Sequence, residues 1–295
     1  MKPVRIVIGL APGGATDIVA RAIAQKFTES FGQSVLVDNR AGAAGSIAAA
    51  LVAKSPADGY TLLIVSSSYA INPGLYNDLP FDPLRDLVPI SLIAEAPLLL
   101  VVNPALPART VGELLALAKA RPGALNYSSG GNGSSGHLAG ELFRSLTGVS
   151  LTHVPYKGAG PATVDVIAGQ IHMTFASVVS ALPHVKAGRL RALGVTSEKR
   201  SAALPQLPTI SEAGVKGYRT GSWYGALAPA GTASDIVARL SAEFAKTVKL
   251  PAMQERLVGE GAEPIGSTPA QFAGFLEGEI AKWRKVIRES GIRGE

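Results

Sequence analysis

The 295-residue sequence contains no cysteine, which removes disulfide scaffolds, thiolate zinc sites and cysteine nucleophiles together. Histidine is scarce, at four residues, and none of His137, His153, His172 and His184 pairs with another at the helical spacing of a metal site. His172 falls inside the strand-like run Ile171 to Phe175, where a packed or surface imidazole is expected. Aromatics are only 6% and form no repeated basic-aromatic pattern on which bases would stack. Lys+Arg number 28 against 22 Asp+Glu, a net charge of +6, but the excess is scattered apart from short pairs such as Lys199-Arg200 and Arg284-Lys285. Such a balance suits solubility and attraction of small anions, so no nucleic-acid partner is expected. The strongest apolar runs, Leu62 to Val65 and Leu98 to Val102, fall far short of the roughly 18 residues that a membrane-spanning helix needs. Met1-Lys2-Pro3-Val4-Arg5-Ile6 enters a strand-like alternation with no basic segment and apolar segment of an export signal ahead of it. Neither Ser134 nor Ser135 has the flanking glycines of a nucleophile elbow, and no glycine run continues into Gly-Lys-Ser/Thr.

What is present is an ordinary globular composition, 47% hydrophobic and 17% charged, long enough for two domains at about 150 residues each. Val4 to Leu10 reads as a strand, Ala11 to Asp17 as a glycine loop, and Ile18, Ala22, Ile23 and Phe27 as one face of a helix. Ser34 to Val37 is a second strand, Asp38 to Ser46 a second loop, Ile47 to Ala53 a helix, and Asp58-Gly59 a turn into the strand Tyr60 to Val65. The middle of the chain repeats the scheme. Thr110-Val111-Gly112-Glu113 is a capping box ahead of a helix. Leu125 to Ser128 is then a strand, Ser129 to Gly136 a glycine loop, His137 to Leu146 a helix and Leu151 to Pro155 a strand. Lys157 to Pro161 opens a further helix through Ile167; Ile171 to Phe175 and Leu190 to Thr196 are strands around a helix-like stretch at Leu182 to Ala187. This alternation predicts an α/β fold with parallel strands and helical crossovers, in two blocks.

The C-terminal quarter is amphipathic and helical. Thr232 is expected to cap a helix carrying Ile236, Leu240, Phe244 and Val248; Thr268-Pro269 is expected to cap another carrying Phe272, Leu276, Ile280, Trp283 and Ile287. The near-fourfold spacing is a core-facing stripe, which assigns Trp283 to packing.

Gly131-Asn132-Gly133-Ser134-Ser135-Gly136 satisfies the dinucleotide fingerprint G-x-G-x-x-G between a strand and a helix. The acid that should meet the ribose is not at the end of the next strand, which reads Pro155-Tyr156-Lys157. The same loops suit another use. A helix N-terminus offers unpaired N–H groups and a partial positive charge, so Ala11 to Asp17 and Ser128 to Ser135, with hydroxyls at Thr16, Ser66, Ser67, Ser68, Ser129 and Ser134, can hold a carboxylate or phosphate. Asp17, in the first turn, also suits a capping role.

Six ordered motifs spanning about Lys2 to Glu295 give the chain a family likeness. Ala11-Pro12-Gly13-Gly14 with Asp17, Asn39 to Gly45, Asp58 to Leu63, His153 to Gly158, Leu190 to Leu193 and Trp223-Tyr224-Gly225 resemble the Bug-type solute receptors, the extracytoplasmic binding proteins of tripartite tricarboxylate transporters. The resemblance implies a two-lobed type II periplasmic binding fold that is not an enzyme, needs no cofactor or metal, and closes as a monomer on a small di-, tri- or aromatic carboxylate for delivery to the membrane components of the transporter. It implies a periplasmic location, with the family's leader missing from the given sequence. Carried over by position, the ligand-binding residues are Ala11, Gly13, Gly14, Thr16, Asp17 and Ser66 to Ser68 in lobe one, and Ser129, Gly131, Gly133, Ser134, Lys157, Ala159, Gly160 and Ser177 in lobe two. Where many relatives have an acid after the strand ending at Phe175, Ala176-Ser177 stands here. Without a carboxylate to receive an ammonium, amino-acid ligands are disfavoured. Chain crossings are expected near Val101 and Gly221, giving lobe one residues 1–100 and 222–295 and lobe two residues 101–221. A dinucleotide-dependent oxidoreductase using Gly131 to Gly136, or a sensor serving a signalling partner, are the alternative readings.

Overall fold

Three consecutive strand-helix pairs open the chain. In the computed structural model, which describes residues 2–10, 12, 15–76, 78–156, 159–201, 204–259 and 261–291, β1 (Val4–Ile8) leads to α1 (Ala15–Phe31), β2 (Val35–Asn39) to α2 (Ser46–Ala53), and β3 (Thr61–Ser66) to α3 (Ser68–Leu75). β1 is the central strand, parallel to β2 through Val4↔Val35 and to β3 through Arg5↔Thr61. Ile6 and Leu62 on one face and Val7 and Leu63 on the other are buried, as expected of strands covered on both faces.

The same order then recurs. After β4 (Leu87–Val102) and α4 (Val111–Ala120), β5 (Asn126–Ser129) leads to α5 (Ser135–Thr147), β6 (Thr152–Pro155) to α6 (Ala159–Ile167), and β7 (Met173–Ser177) to α7 (Val178–Lys186). β5 is now the central strand, parallel to β6 and to β7. β8 (Arg191–Val195) and β7 both pair antiparallel with the second half of β4. β9 (Gly221–Pro229) pairs antiparallel with β3, and α8 (Ser234–Val248), α9 (Pro251–Gly259), β10 (Glu263–Pro264) and α10 (Pro269–Ser290) complete the chain.

Two compact units result. One comprises Met1–Glu95 and Trp223–Ile287, the other Ala96–Ser222 with Arg288–Gly294. In the first, α10 buries the apolar stripe expected of it, and α8 buries Leu240, Phe244 and Val248 but leaves Ile236 half-buried, with Val237 buried beside it. Phe27 of α1 meets Phe244 of α8 edge-on at 4.8 Å between ring centroids, and Trp283 is buried. In the second, Leu99, Val101, Val166 and Val195 form a core cluster, and Tyr127, Phe143, Phe175 and Tyr218 are buried beside it or near one another.

Local chemistry sets most boundaries as the residues suggest. Thr110 accepts from the Glu113 amide at 3.1 Å, and Glu113 reaches back past the N-cap to accept from the Arg109 amide at 2.6 Å, a variant of the capping box. Thr268 likewise accepts from the Gln271 amide at 3.3 Å. Thr232 behaves differently from expectation. Its hydroxyl donates to the Pro229 carbonyl at 2.7 Å, and Ala233 occupies the N-cap of α8 with no side-chain cap. α7 begins at Val178, four residues before the expected stretch, because Ser177 caps it through the Ser180 amide at 3.3 Å. α3, α9 and most of β4 and β9 carry no sequence signal that stands above the surrounding loops. In β4, Pro89, Ser91, Glu95 and Pro97 interrupt the apolar pattern, leaving only Leu98 to Val102 legible.

Candidate functional site

In each unit the carboxyl ends of three neighbouring parallel strands open directly into helices. In an open α/β sheet that edge is where ligands bind, because loops there are free to vary while helix N-termini point outward. The expected site residues that the structure describes fall on these two edges, one set in each unit. Ala11, Gly13, Gly14 and Lys157 lie outside the described residues.

In the first unit, the loops after β1 and β2 are packed backbone to backbone. A β-carbon on Gly9 would stand 2.4 Å from the Gly45 α-carbon, so no other residue fits at Gly9 without moving the second loop. Between Gly42 and Gly45, Ala43 and Ala44 both take positive φ, 45° and 50°. Each left-handed alanine costs roughly 1–2 kcal/mol, and such strain persists where surrounding contacts hold it. Asn72 of α3 supplies one: its Nδ2 donates to the Ala44 carbonyl and to Ser46 Oγ, both at 3.1 Å.

Thr16, Ser66, Ser68 and Asn72 line a cavity of about 20 Å³ at this edge, on the scale of a single water. Ser66 and Ser68 exchange a hydrogen bond at 3.1 Å, and buried Asn72 Oδ1 has no hydrogen-bond partner among the described residues. Ser67 is buried at the start of α3, where its carbonyl accepts from the Ala70 and Ile71 amides. Asp17 is also buried. Its carboxylate accepts from Arg21 Nε at 2.9 Å and from Asn39 Nδ2 at 3.0 Å, and Asn39 Nδ2 donates further to the Leu10 carbonyl at 3.1 Å. Asp17 therefore ties the first turn of α1 to the end of β2 and to the first loop.

In the second unit, Ser129 ends β5 with its hydroxyl buried. Its Oγ accepts from the Gly131 amide at 3.2 Å, donates toward the Gly131 carbonyl at 3.1 Å, and lies 2.7 Å from His153 Nε2. Gly131 and Gly133 take φ of 121° and 74°, which L side chains avoid. Ser134 caps α5 by accepting from the His137 amide at 3.3 Å, and the Gly133 amide donates to His137 Nδ1 at 3.0 Å. Ala159 and Gly160 are exposed in the first turn of α6, and nothing lies within 4 Å of where a Gly160 β-carbon would be. Ser177 is exposed at the end of β7. Because the spatial order is β7-β5-β6, these three helix starts share one sheet edge.

Beneath the loop lies a polar cluster. His137 and His153 stack with centroids 3.9 Å apart and planes 8° from parallel, and Tyr127 stacks on the other ring partner, His153, at 4.9 Å. Tyr127 donates to Glu141 Oε1 at 2.6 Å, where Arg144 Nη1 also donates at 2.7 Å. Burial holds the His137 imidazolium pKa below its ordinary value against the pull of Glu141, and burial with the neighbouring His137 pushes His153 down to about 4. Burial and the Glu141 hydrogen bond raise the Tyr127 phenol, which stays neutral.

Helical spacing alone left His137 without a partner. The fold supplies one from β6, sixteen residues on. His172, one residue before β7, pairs with Asn126 at the start of β5, whose backbone amide donates to its Nδ1 at 3.2 Å. Among the described residues no group of three or more histidine, aspartate or glutamate side chains could hold a metal ion. The dinucleotide reading gains no support, since β6 ends at Pro155 and the Tyr156 hydroxyl donates a hydrogen bond to Asp165 inside α6.

A family model described as the tripartite tricarboxylate transporter family receptor matches residues 19–292. Protein BugT of Bordetella pertussis is 39% identical over 294 residues, covering 99% of this chain and 90% of that protein. Among solved structures, R. palustris Rpa4515 with adipate matches with a TM-score of 0.77 and 42% identity, over 99% of this chain and 98% of that one. MatC from Rhodopseudomonas palustris with bound malate matches with a TM-score of 0.72 and 31% identity, over 97% of this chain and 98% of that one. No helix among the described residues is long and apolar enough to cross a membrane.

Proposed function

This chain belongs to the tripartite tricarboxylate transporter receptor family, and from that premise we propose that it is a periplasmic receptor that captures a small carboxylate and presents it to the membrane components of such a transporter. The family is one of solute-binding receptors. The observation that carries the carboxylate assignment is the repeated edge: β5, β6 and β7 run parallel and adjacent, and each feeds a helix N-terminus. Three such termini, with the backbone amides of the glycine loop between them, form a region of positive potential that needs no dedicated cation. Adipate in Rpa4515 and malate in MatC agree with that chemistry.

The ligand residues in this reading are those of the two edges: Ala11, Gly13, Gly14, Thr16, Asp17 and Ser66 to Ser68 from one unit, and Ser129, Gly131, Gly133, Ser134, Lys157, Ala159, Gly160 and Ser177 from the other. Asp17 acts by holding the first loop, since its carboxylate already accepts from Arg21 and Asn39. Lobes of residues 1–100 with 222–295 and of 101–221 close about a hinge at β4 and β9, the strands that carry the chain from one unit to the other. With Ala176-Ser177 where an acid followed by a polar residue would receive an ammonium, the ligand is a plain aliphatic or aromatic carboxylate.

Calorimetric titration with adipate, malate, benzoate, aspartate, glutamate, NAD and NADP tests this reading. Saturable binding of a plain carboxylate supports it, and a ligand at 100 times its dissociation constant would add about 2.7 kcal/mol to thermal stability. Tight binding of aspartate or glutamate alone overturns the ligand class, and binding only of NAD or NADP overturns the receptor assignment.

A further inference from the structure

We propose that the His137–His153 stack is the positioning element of the glycine loop Ser129–Ser134, engaging the Gly133 amide and the Ser129 hydroxyl so that the loop and the start of α5 keep the conformation that receives a ligand carboxylate. The inference rests on the receptor reading for the ligand, and on this unit's geometry for the loop. Two independent bonds tie the loop to the stack. At its start, Ser129 Oγ is shared between the Gly131 backbone and His153 Nε2; at its end, the Gly133 amide donates to His137 Nδ1. The rings face each other at 3.9 Å, so displacing one displaces the other, and with them both ends of a loop whose two central glycines take positive φ.

The second bond also fixes a protonation state. A backbone N–H can donate only to an unprotonated ring nitrogen, so His137 carries its single proton on Nε2, 4.0 Å from Glu141 Oε1. A second proton must go to Nδ1, where it meets the Gly133 amide head-on and turns an acceptor into a donor. The loop then loses that anchor, and a protonated His153 stacked on a protonated His137 adds repulsion across the stack. The charged and titratable groups facing the pair are Glu141 and Arg144 from α5 and Tyr127 from β5. Glu141 favours protonation, while Arg144 and burial oppose it. Tyr127 and Arg144 already donate to the Glu141 carboxylate, so it is bound from two sides.

The test follows the loop and the ligand separately. In the free protein, the amide resonances of Gly131 and Gly133 are tracked by NMR from neutral pH downward alongside the ring resonances of His137 and His153. The amides are expected to move with the rings. Rings that titrate while both amides stay in place overturn the inference. In parallel, adipate, malate and benzoate are titrated into the native protein and into His137→Phe and His137→Asn. Phenylalanine keeps the stack but offers no acceptor, whereas the asparagine Oδ1 restores one near the position of Nδ1 and does not titrate. His137→Phe is expected to weaken binding about tenfold, and His137→Asn, which restores the acceptor but not the ring stacked on His153, to recover part of it with a flatter acid limb in the pH profile. Equal affinity of His137→Phe and the native protein, both shown folded by circular dichroism, overturns the inference. If none of the three acids binds the native protein, the ligand class fails, and the Gly131 and Gly133 resonances still decide whether the stack positions the loop.

Discussion

Gly140, in the middle of α5, lies so close to Tyr127 of β5 that a β-carbon would stand 2.2 Å from the ring's Cε2. The absent side chain is what lets α5 settle onto β5 and brings the Tyr127 hydroxyl to Glu141. Gly140→Ala must push either the helix or the ring, and overpacking of this kind costs about 1–3 kcal/mol. A lowered melting temperature in scanning calorimetry is expected. Gly278, in α10 with nothing within 4 Å of its would-be β-carbon, is the contrast. There alanine gains helix propensity of about 0.5–1 kcal/mol and should raise the melting temperature.

Glu279 is the shared acceptor of two buried indoles, Trp223 Nε1 at 3.3 Å and Trp283 Nε1 at 3.0 Å. Glu279→Leu would leave both N–H groups buried without an acceptor, at about 1–3 kcal/mol each. Glu279→Gln keeps an acceptor oxygen and should cost less. Chemical denaturation followed by tryptophan fluorescence reads both, and equal stability of the two variants would refute the shared role.

The histidines make stability fall with acid. His153 has a folded pKa of about 4 and His137 and His172 are shifted in the same direction, all below the unfolded value of about 6.5. Between those values the unfolded chain binds more protons than the folded one, so stability rises with pH through the window from about 4 to 6.5 and is lost as pH falls through it. Melting temperatures at intervals across that window should decline on acidification, and His153→Gln should flatten the decline.

Ser177 caps α7, a role that aspartate fills equally well, so Ser177→Asp should fold normally. An added negative charge at the carboxyl end of β7 should weaken adipate or malate binding about tenfold or more, and should improve the relative affinity for aspartate and glutamate, whose ammonium it can receive. Unchanged selectivity in calorimetric titration would place Ser177 away from the ligand.

The alternation of apolar runs with glycine loops is enough to fix an α/β fold, because parallel strands buried on both faces read as continuous β-branched segments and their crossovers as fourfold stripes. It marks helix starts as well: Ser134 precedes one, and Thr110 and Thr268 carry their caps in the local sequence, whereas the helix that Ser177 caps is legible only from Leu182 on. β9 and the first half of β4 stay hidden because small residues and interrupting prolines give no period, and their pairing is decided by strands far away in the chain. The ligand loop divides in the same way. Its glycines are visible to the eye; what they lean on is not, since His137 finds His153 across a helix and a strand, and Asn72 finds Ala44 across 28 residues. Local chemistry determined where the chain turns, caps and exposes its amides. Only the tertiary structure decided which buried polar groups hold those amides still, because a hydrogen bond between residues distant in sequence has no periodicity from which it can be read.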